Sequence, residues 1–161
     1  ERPTKDKYYL NIALDVSRRA TCLRRRFGAV IFNHDEIVST GYAGAPRGAK
    51  NCIDLGSCPR EEANIPAGER YELCRSVHAE ANAIISASRK EMLGAIMYLA
   101  GENVKDGTLA ATQPCKMCKR FIINAGIEKV VALQPDNSIK VSSVKDWVKN
   151  EEIDLTKAKG Y

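Results

Sequence analysis

No stretch of this 161-residue sequence is apolar for long enough to cross a bilayer, which excludes a helical membrane span. Aromatic residues are scarce, at 6% of the chain, and no Lys/Arg-rich stretch interleaves with them. That argues against a groove that stacks single-stranded nucleic acid. Low-complexity segments are also missing, and with 44% apolar residues the length suits one domain with a core, expected over residues 1–161. Residues Glu1 to Lys7 are charged where an export signal would need an apolar centre, so a soluble, cytoplasmic protein is expected. Cysteine, by contrast, is not scarce. Six cysteines without an export signal argue against a disulfide framework, because the cytoplasm keeps thiols reduced, and in favour of metal binding or catalysis.

The spacing of Tyr8, Tyr9, Ile12, Ala13 and Val16 predicts an amphipathic helix over 5–20, with Thr4 as its N-cap. Residues 29–32 read as a buried strand, and the polar turn 33–36 leads to a second strand at 37–40, forming a hairpin. From Gly41 to Arg75 glycine, proline and charge break any periodicity, so a long loop is expected, holding Cys52, Cys58 and Cys74. Beyond it, helix 79–90, strand 95–100, helix 116–125, strand 129–133 and a last helix over 141–150 alternate, with Gly126 stopping the helix that ends at 125. The expected architecture is α/β: a mixed sheet of four or five strands between layers of helices.

Two segments carry recognisable chemistry: Val77-His78-Ala79-Glu80, and Gln113-Pro114-Cys115-Lys116-Met117-Cys118, each at the start of a predicted helix. Cys115 and Cys118 are three apart on one helix face, so both sulfurs can reach one ion, and Pro114 suits the helix entry. A helix N-terminus also favours thiolate over thiol. With His78 they make three ligands, which leaves a tetrahedral zinc one open position for water and lowers that water's pKa towards neutrality. Glu80, two residues from His78, can stand beside such a metal without binding it and shuttle protons. A Cys-x-x-Cys pair alone could be redox-active, and His-x-Glu occurs by chance. The order His-Ala-Glu, 33 intervening residues, then Pro-Cys-x-x-Cys matches the signature of zinc deaminases, with a closed structural zinc site as the alternative.

The sequence accordingly resembles the cytidine and deoxycytidylate deaminase superfamily, most closely its bacterial and phage dCMP deaminases. Beyond the two segments, the resemblance extends to Ala20-Thr21-Cys22, Phe27-Gly28-Ala29-Val30-Ile31, the run Gly41 to Gly48, Asn51-Cys52, Cys74 to Ile84, and Ile122 to Ile127. It implies a three-layer α/β/α sandwich around a mixed five-stranded sheet, one catalytic zinc, and a homo-oligomer, a hexamer or a dimer. Its dCMP-specific members are activated by dCTP and inhibited by dTTP. Some members hold a second, structural zinc by residues before the catalytic histidine, and Cys22, Cys52, Cys58 and Cys74 occupy suitable positions here. Four thiolates on one ion would also pin a loop with no helix or strand of its own.

The net charge of +5 and the arginines near residues 18–26 suit a phosphate-bearing partner. Arg18 and Arg19 read equally well as a solvated helix end. For a phosphate monoester, Arg24, Arg26, Arg47 and Asn51 are the expected donors, and Tyr42 and Ala79 fall in the matching segments beside the substrate. Two departures bear on substrate. The family's Gly-Tyr-Asn-Gly is Gly41-Tyr42-Ala43-Gly44 here, and Ala100–Gln113 is longer than usual, with Ala111 where threonine is common. Deamination of dCMP is the leading expectation. Other small cytosine or purine compounds share the chemistry; a nucleic-acid deaminase and a non-enzymatic zinc module are the remaining readings.

Overall fold

The computed structural model describes residues 1–153; the last eight residues of the domain expected over 1–161 lie outside that range. The chain opens with α1 (Lys5–Ser17), whose N-terminus is capped by Thr4 accepting a hydrogen bond from the Lys7 N–H at 3.2 Å. The helix ends three residues before the expected limit, where Ser17 is buried and its hydroxyl turns back to donate to the Leu14 carbonyl. Strands β1 (Arg25–Asn33) and β2 (Glu36–Tyr42) form the expected hairpin. Its two corner residues, His34 and Asp35, both take positive φ, the conformation that matches a tight turn to the twist of the strands.

The long loop is less irregular than its composition suggests. It holds two four-residue helices, α2 (Cys52–Leu55) and α3 (Pro59–Glu62), and a 3-10 turn at Tyr71–Leu73. Asn51 caps α2 and Pro59 opens α3, each a local start signal. The helix expected over 79–90 divides into α4 (Ala79–Ile85) and α5 (Arg89–Met92). The cause is a reciprocal cap: Glu91 N–H donates to Ser88 Oγ, and Ser88 N–H donates to the Glu91 carboxylate, which starts a new helix at 89.

Strand β3 (Ile96–Asn103), α6 (Lys116–Ala125) and β4 (Lys129–Leu133) follow, and Gly126 ends α6 in the left-handed region at φ 84°. The expected last helix over 141–150 is half strand. Ile139–Ser143 forms β5, antiparallel to β4, and only Val144–Lys149 is helical, as α7. Ile139, Val141 and the polar residues between them alternate with period two, which suits an edge strand.

The sheet runs β2-β1-β3-β4-β5, parallel only between β3 and β4. Tyr9, Leu10 and Ala13 of α1 pack on Val30, Tyr98, Val131 and Leu133 on one face. On the other, residues from α4, α6 and α7 cover Ala29, Ile31, Met97, Leu99, Val130 and Ala132. Helices thus cover a mixed five-stranded sheet on both sides. None of the helices among the described residues is long and apolar enough to cross a membrane.

Candidate active site

Neighbouring helix entries on one face of the sheet present the two chemical segments. Val77 pairs with Gly44 through hydrogen bonds of 2.7 and 3.2 Å in both directions, and the Asn82 side-chain amide donates to the Tyr42 carbonyl at 2.8 Å. These contacts hang the start of α4 from the end of β2. His78 is the N-cap of α4 and Glu80 lies in its first turn. Opposite, Cys115 is the N-cap of α6, and its Sγ accepts the Cys118 N–H at 3.4 Å.

His78 Nδ1 stands 3.6 Å from Cys115 Sγ and 3.5 Å from Cys118 Sγ. Zinc bonds of ~2.3 Å to sulfur and ~2.0 Å to nitrogen at tetrahedral angles place such atoms roughly 3.5 Å apart. The donor set therefore fits zinc as it stands. Among the described residues this is the one group of three or more His, Cys, Asp or Glu side chains whose ligand atoms all lie within 4.8 Å of one another.

The electrostatics of the group are those of donors crowded to share a cation. The Cys118 bond and the His78 ring hold Cys115 down at about 4 against the opposing effect of burial. Burial pulls His78 down, but bonds to Cys115 and Cys74 and the charge of Glu80 carry it up to about 10. Cys118 is pushed up by its bond to Cys115 and by burial. A divalent ion resolves this competition by displacing the protons. Glu80 is buried, with 8% of its surface exposed; burial raises its carboxyl above the usual range, and it accepts a contact from the Cys118 thiol at 3.6 Å. A carboxyl raised in this way holds a proton more readily than an exposed one, which suits a group that must take up a proton and give it back.

His78, Glu80 and Cys115 open into a cavity of about 720 Å³, with Cys118 buried behind them. Arg24 and Ala79 line it as expected; Arg26, Tyr42, Arg47 and Asn51 do not. The parity of β1 explains the first: Ala29 and Ile31 face α4 and α6 while Val30 faces α1, so Arg26 shares the α1 side and Arg25 takes its place in the cavity. Asn51 is occupied in the loop, where its Oδ1 accepts from Thr21 Oγ1 at 2.9 Å and from the Ala45 N–H. Tyr42 and Arg47 are exposed. Arg60, Lys116, Lys119 and Lys140 line the cavity without having been singled out in the sequence. Lys140 could have been found from the alternation of β5, and Lys116 and Lys119 from their turn of α6 beside the cysteines. Of the four further cysteines, Cys22, Cys58 and Cys74 border the same cavity, and burial followed by the charges of those three raises the Cys52 thiol. The four share one neighbourhood without reaching the ligand spacing of the His78 group.

Residues 3–134 match the family model described as the cytidine and deoxycytidylate deaminase zinc-binding region. The chain belongs to the cytidine and deoxycytidylate deaminase family. It is 36% identical over 135 residues to the deoxycytidylate deaminase of Mycobacterium phage D29, covering 81% of this chain and 94% of the phage protein. A similar match, 35% over 131 residues, to the deoxycytidylate deaminase of Schizosaccharomyces pombe covers 81% of this chain but 37% of that longer protein. The deaminase fold is shared with the dCMP deaminase of cyanophage S-TIM5 solved with dCMP and dUMP, at a TM-score of 0.58, 23% identity and 82% coverage of both chains. The family's zinc-binding region contains His78, Cys115 and Cys118, so zinc is the ion this deaminase site holds.

Proposed function

We propose that this deaminase hydrolyses dCMP to dUMP and ammonia. One observation carries the reading: the cavity beside His78, Cys115 and Glu80 is lined by six cationic side chains, Arg24, Arg25, Arg60, Lys116, Lys119 and Lys140, against Glu80 as the sole carboxylate among its described lining residues. Although Arg24 and Lys119 pair with Glu61 and Glu152 outside the lining at 2.9 and 3.1 Å, the cationic excess remains. Such a wall favours a substrate that carries negative charge away from the reacting ring. The dCMP and dUMP bound to the cyanophage relative agree with it.

A zinc ion held by His78, Cys115 and Cys118 would supply a water ionised near neutral pH. Glu80 would take one proton from the attacking water and give it to the ring nitrogen next to the attacked carbon, then take the second from the new hydroxyl on that carbon and give it to the departing amine. The carbon gains an oxygen and loses ammonia, with no net change in redox state. The low exposure of Glu80 keeps these protons out of bulk exchange.

A second reading concerns the base. Ala43 and Ala111, the two positions that depart from the family's Asn and Thr, both border the cavity, which leaves room for a substituted cytosine. Turnover of dCMP, deoxycytidine, dCTP and a 5-substituted dCMP, followed by ammonia release, decides among them. Preferred turnover of dCMP supports the proposal; turnover of deoxycytidine alone contradicts it.

The same reading makes the protein a cytoplasmic homo-oligomer, supported by large exposed apolar side chains such as Ile85 on α4 and Phe121 on α6. Sedimentation tests this, and rates measured with dCTP and dTTP test those nucleotides as effectors. A second zinc on Cys22, Cys52, Cys58 and Cys74 is also proposed, supported by Cys22, Cys58 and Cys74 bordering one cavity with Cys52 within reach of their charges. Metal analysis of Cys52→Ser should give one zinc fewer per chain.

A further inference from the structure

Tyr71 lies in the 3-10 turn between α3 and α4, and its ring meets the imidazole of His78 edge to face, with centroids 5.2 Å apart and planes at 83°. Over the Tyr71 ring sits the guanidinium of Arg60, 4.5 Å from the centroid. Arg60 is only 5% exposed, and its Nη2 donates to the carbonyls of Pro66 at 2.8 Å and Glu69 at 2.6 Å. A buried cation with no carboxylate partner is costly unless its surroundings hold it. Here two carbonyls and an aromatic face do so, and the result is a continuous stack from α3 through Tyr71 to a metal ligand.

The His78 ring has its Nδ1 between Cys115 and Cys118. A turn of the ring about its side-chain bonds would carry that nitrogen out of the ligand group, and Tyr71 lies against the ring. We propose that Tyr71, backed by Arg60, is a positioning residue that fixes the His78 ring towards the two thiols and so sets how tightly the group retains its metal. The proposal rests on the reading of His78, Cys115 and Cys118 as the metal site.

Cobalt(II) titration of the purified full chain against a competing chelator, read from the part of the thiolate–cobalt absorption that His78→Ala abolishes, tests it. Tyr71→Leu should bind about two- to twelve-fold more weakly, the strength of one aromatic pair. Tyr71→Phe keeps the ring and should bind within twofold of the wild type. Arg60→Lys keeps the charge but loses the flat stack, and should weaken binding as well, which carries the test even where Tyr71→Leu does not fold. Wild-type affinity in Tyr71→Leu or Arg60→Lys, or equal loss in the Leu and Phe variants, overturns the positioning role. If His78→Ala abolishes none of the wild-type absorption, the metal-site reading itself is refuted instead.

Discussion

Gly41 separates the geometry of the site from the stability of the fold. Its place in β2 requires glycine for space: a Cβ there would lie 2.3 Å from the Ala83 nitrogen and 2.5 Å from the Ala79 carbonyl, both backbone atoms of α4. Ordinary contact begins near 3.4 Å, so Gly41→Ala must push α4 away by about 1.1 Å, the difference between 3.4 and 2.3 Å. That helix starts at the His78 cap and carries Glu80, whereas Cys115 and Cys118 belong to α6. Overpacking of this kind costs about 1–3 kcal/mol, or about 2–12 °C of melting temperature for a chain of this size. A displacement of about 1 Å at a reacting centre costs about 10²-fold in rate. Gly28→Ala is the matched control, because its Cβ would meet Ala13 and Ser17 of α1 at 2.2 and 2.5 Å, on the opposite face of the sheet. Melting curves and deamination rates at saturating zinc should show both variants destabilised and only Gly41→Ala slowed by about two orders of magnitude. Turnover of Gly41→Ala within threefold of the wild type, or an equal loss in Gly28→Ala, would refute the argument.

Thr4→Ala removes the cap of α1 and should cost about 1 kcal/mol by denaturant titration, leaving turnover unchanged. Tyr98→Phe loses the bond from the phenol to Asp6 Oδ1 at 2.9 Å and should cost about 1.5 kcal/mol. Burial and that bond raise the Tyr98 pKa, so its contribution is complete below the unfolded value of about 10 and declines as the pH climbs towards the folded value; the Phe variant should show a shallower loss of stability above pH 10. Removing zinc with a chelator should lower the melting temperature by about 5–11 °C relative to protein in zinc at a hundred times its dissociation constant, which corresponds to about 2.7 kcal/mol.

The metal ligands were legible because helix entry, ligand chemistry and spacing coincide in His78, Cys115 and Cys118, and local rules alone place all three. The helix at 116–125 and the strand at 129–133 were equally plain, being bounded by Pro114 and Gly126 and strongly patterned. The errors arose where two local signals competed. Ser88 and Glu91 form a capping box inside an apolar helical pattern and divide it. Ile139 to Ser143 alternates over only five residues before a short helix, so a single helical period absorbed it. The substrate side of the site was the hardest to read, because which arginine faces the cavity depends on strand parity fixed by the whole sheet. Arg25 and Arg26 differ by one position and lie on opposite faces. Arg60 and Tyr71 reach the site only through the packing of a loop whose sequence has no period at all.

The central claim is that Glu80 moves protons at a zinc site it does not ligate. Glu80→Gln keeps the size and burial of the side chain and removes its ability to exchange a proton, so zinc content and dCMP turnover measured on the same preparation test that claim most directly. Wild-type zinc at the His78 group is expected, with turnover reduced about 10²–10⁴-fold. Full zinc with turnover within tenfold of the wild type, or loss of zinc together with activity, would contradict it.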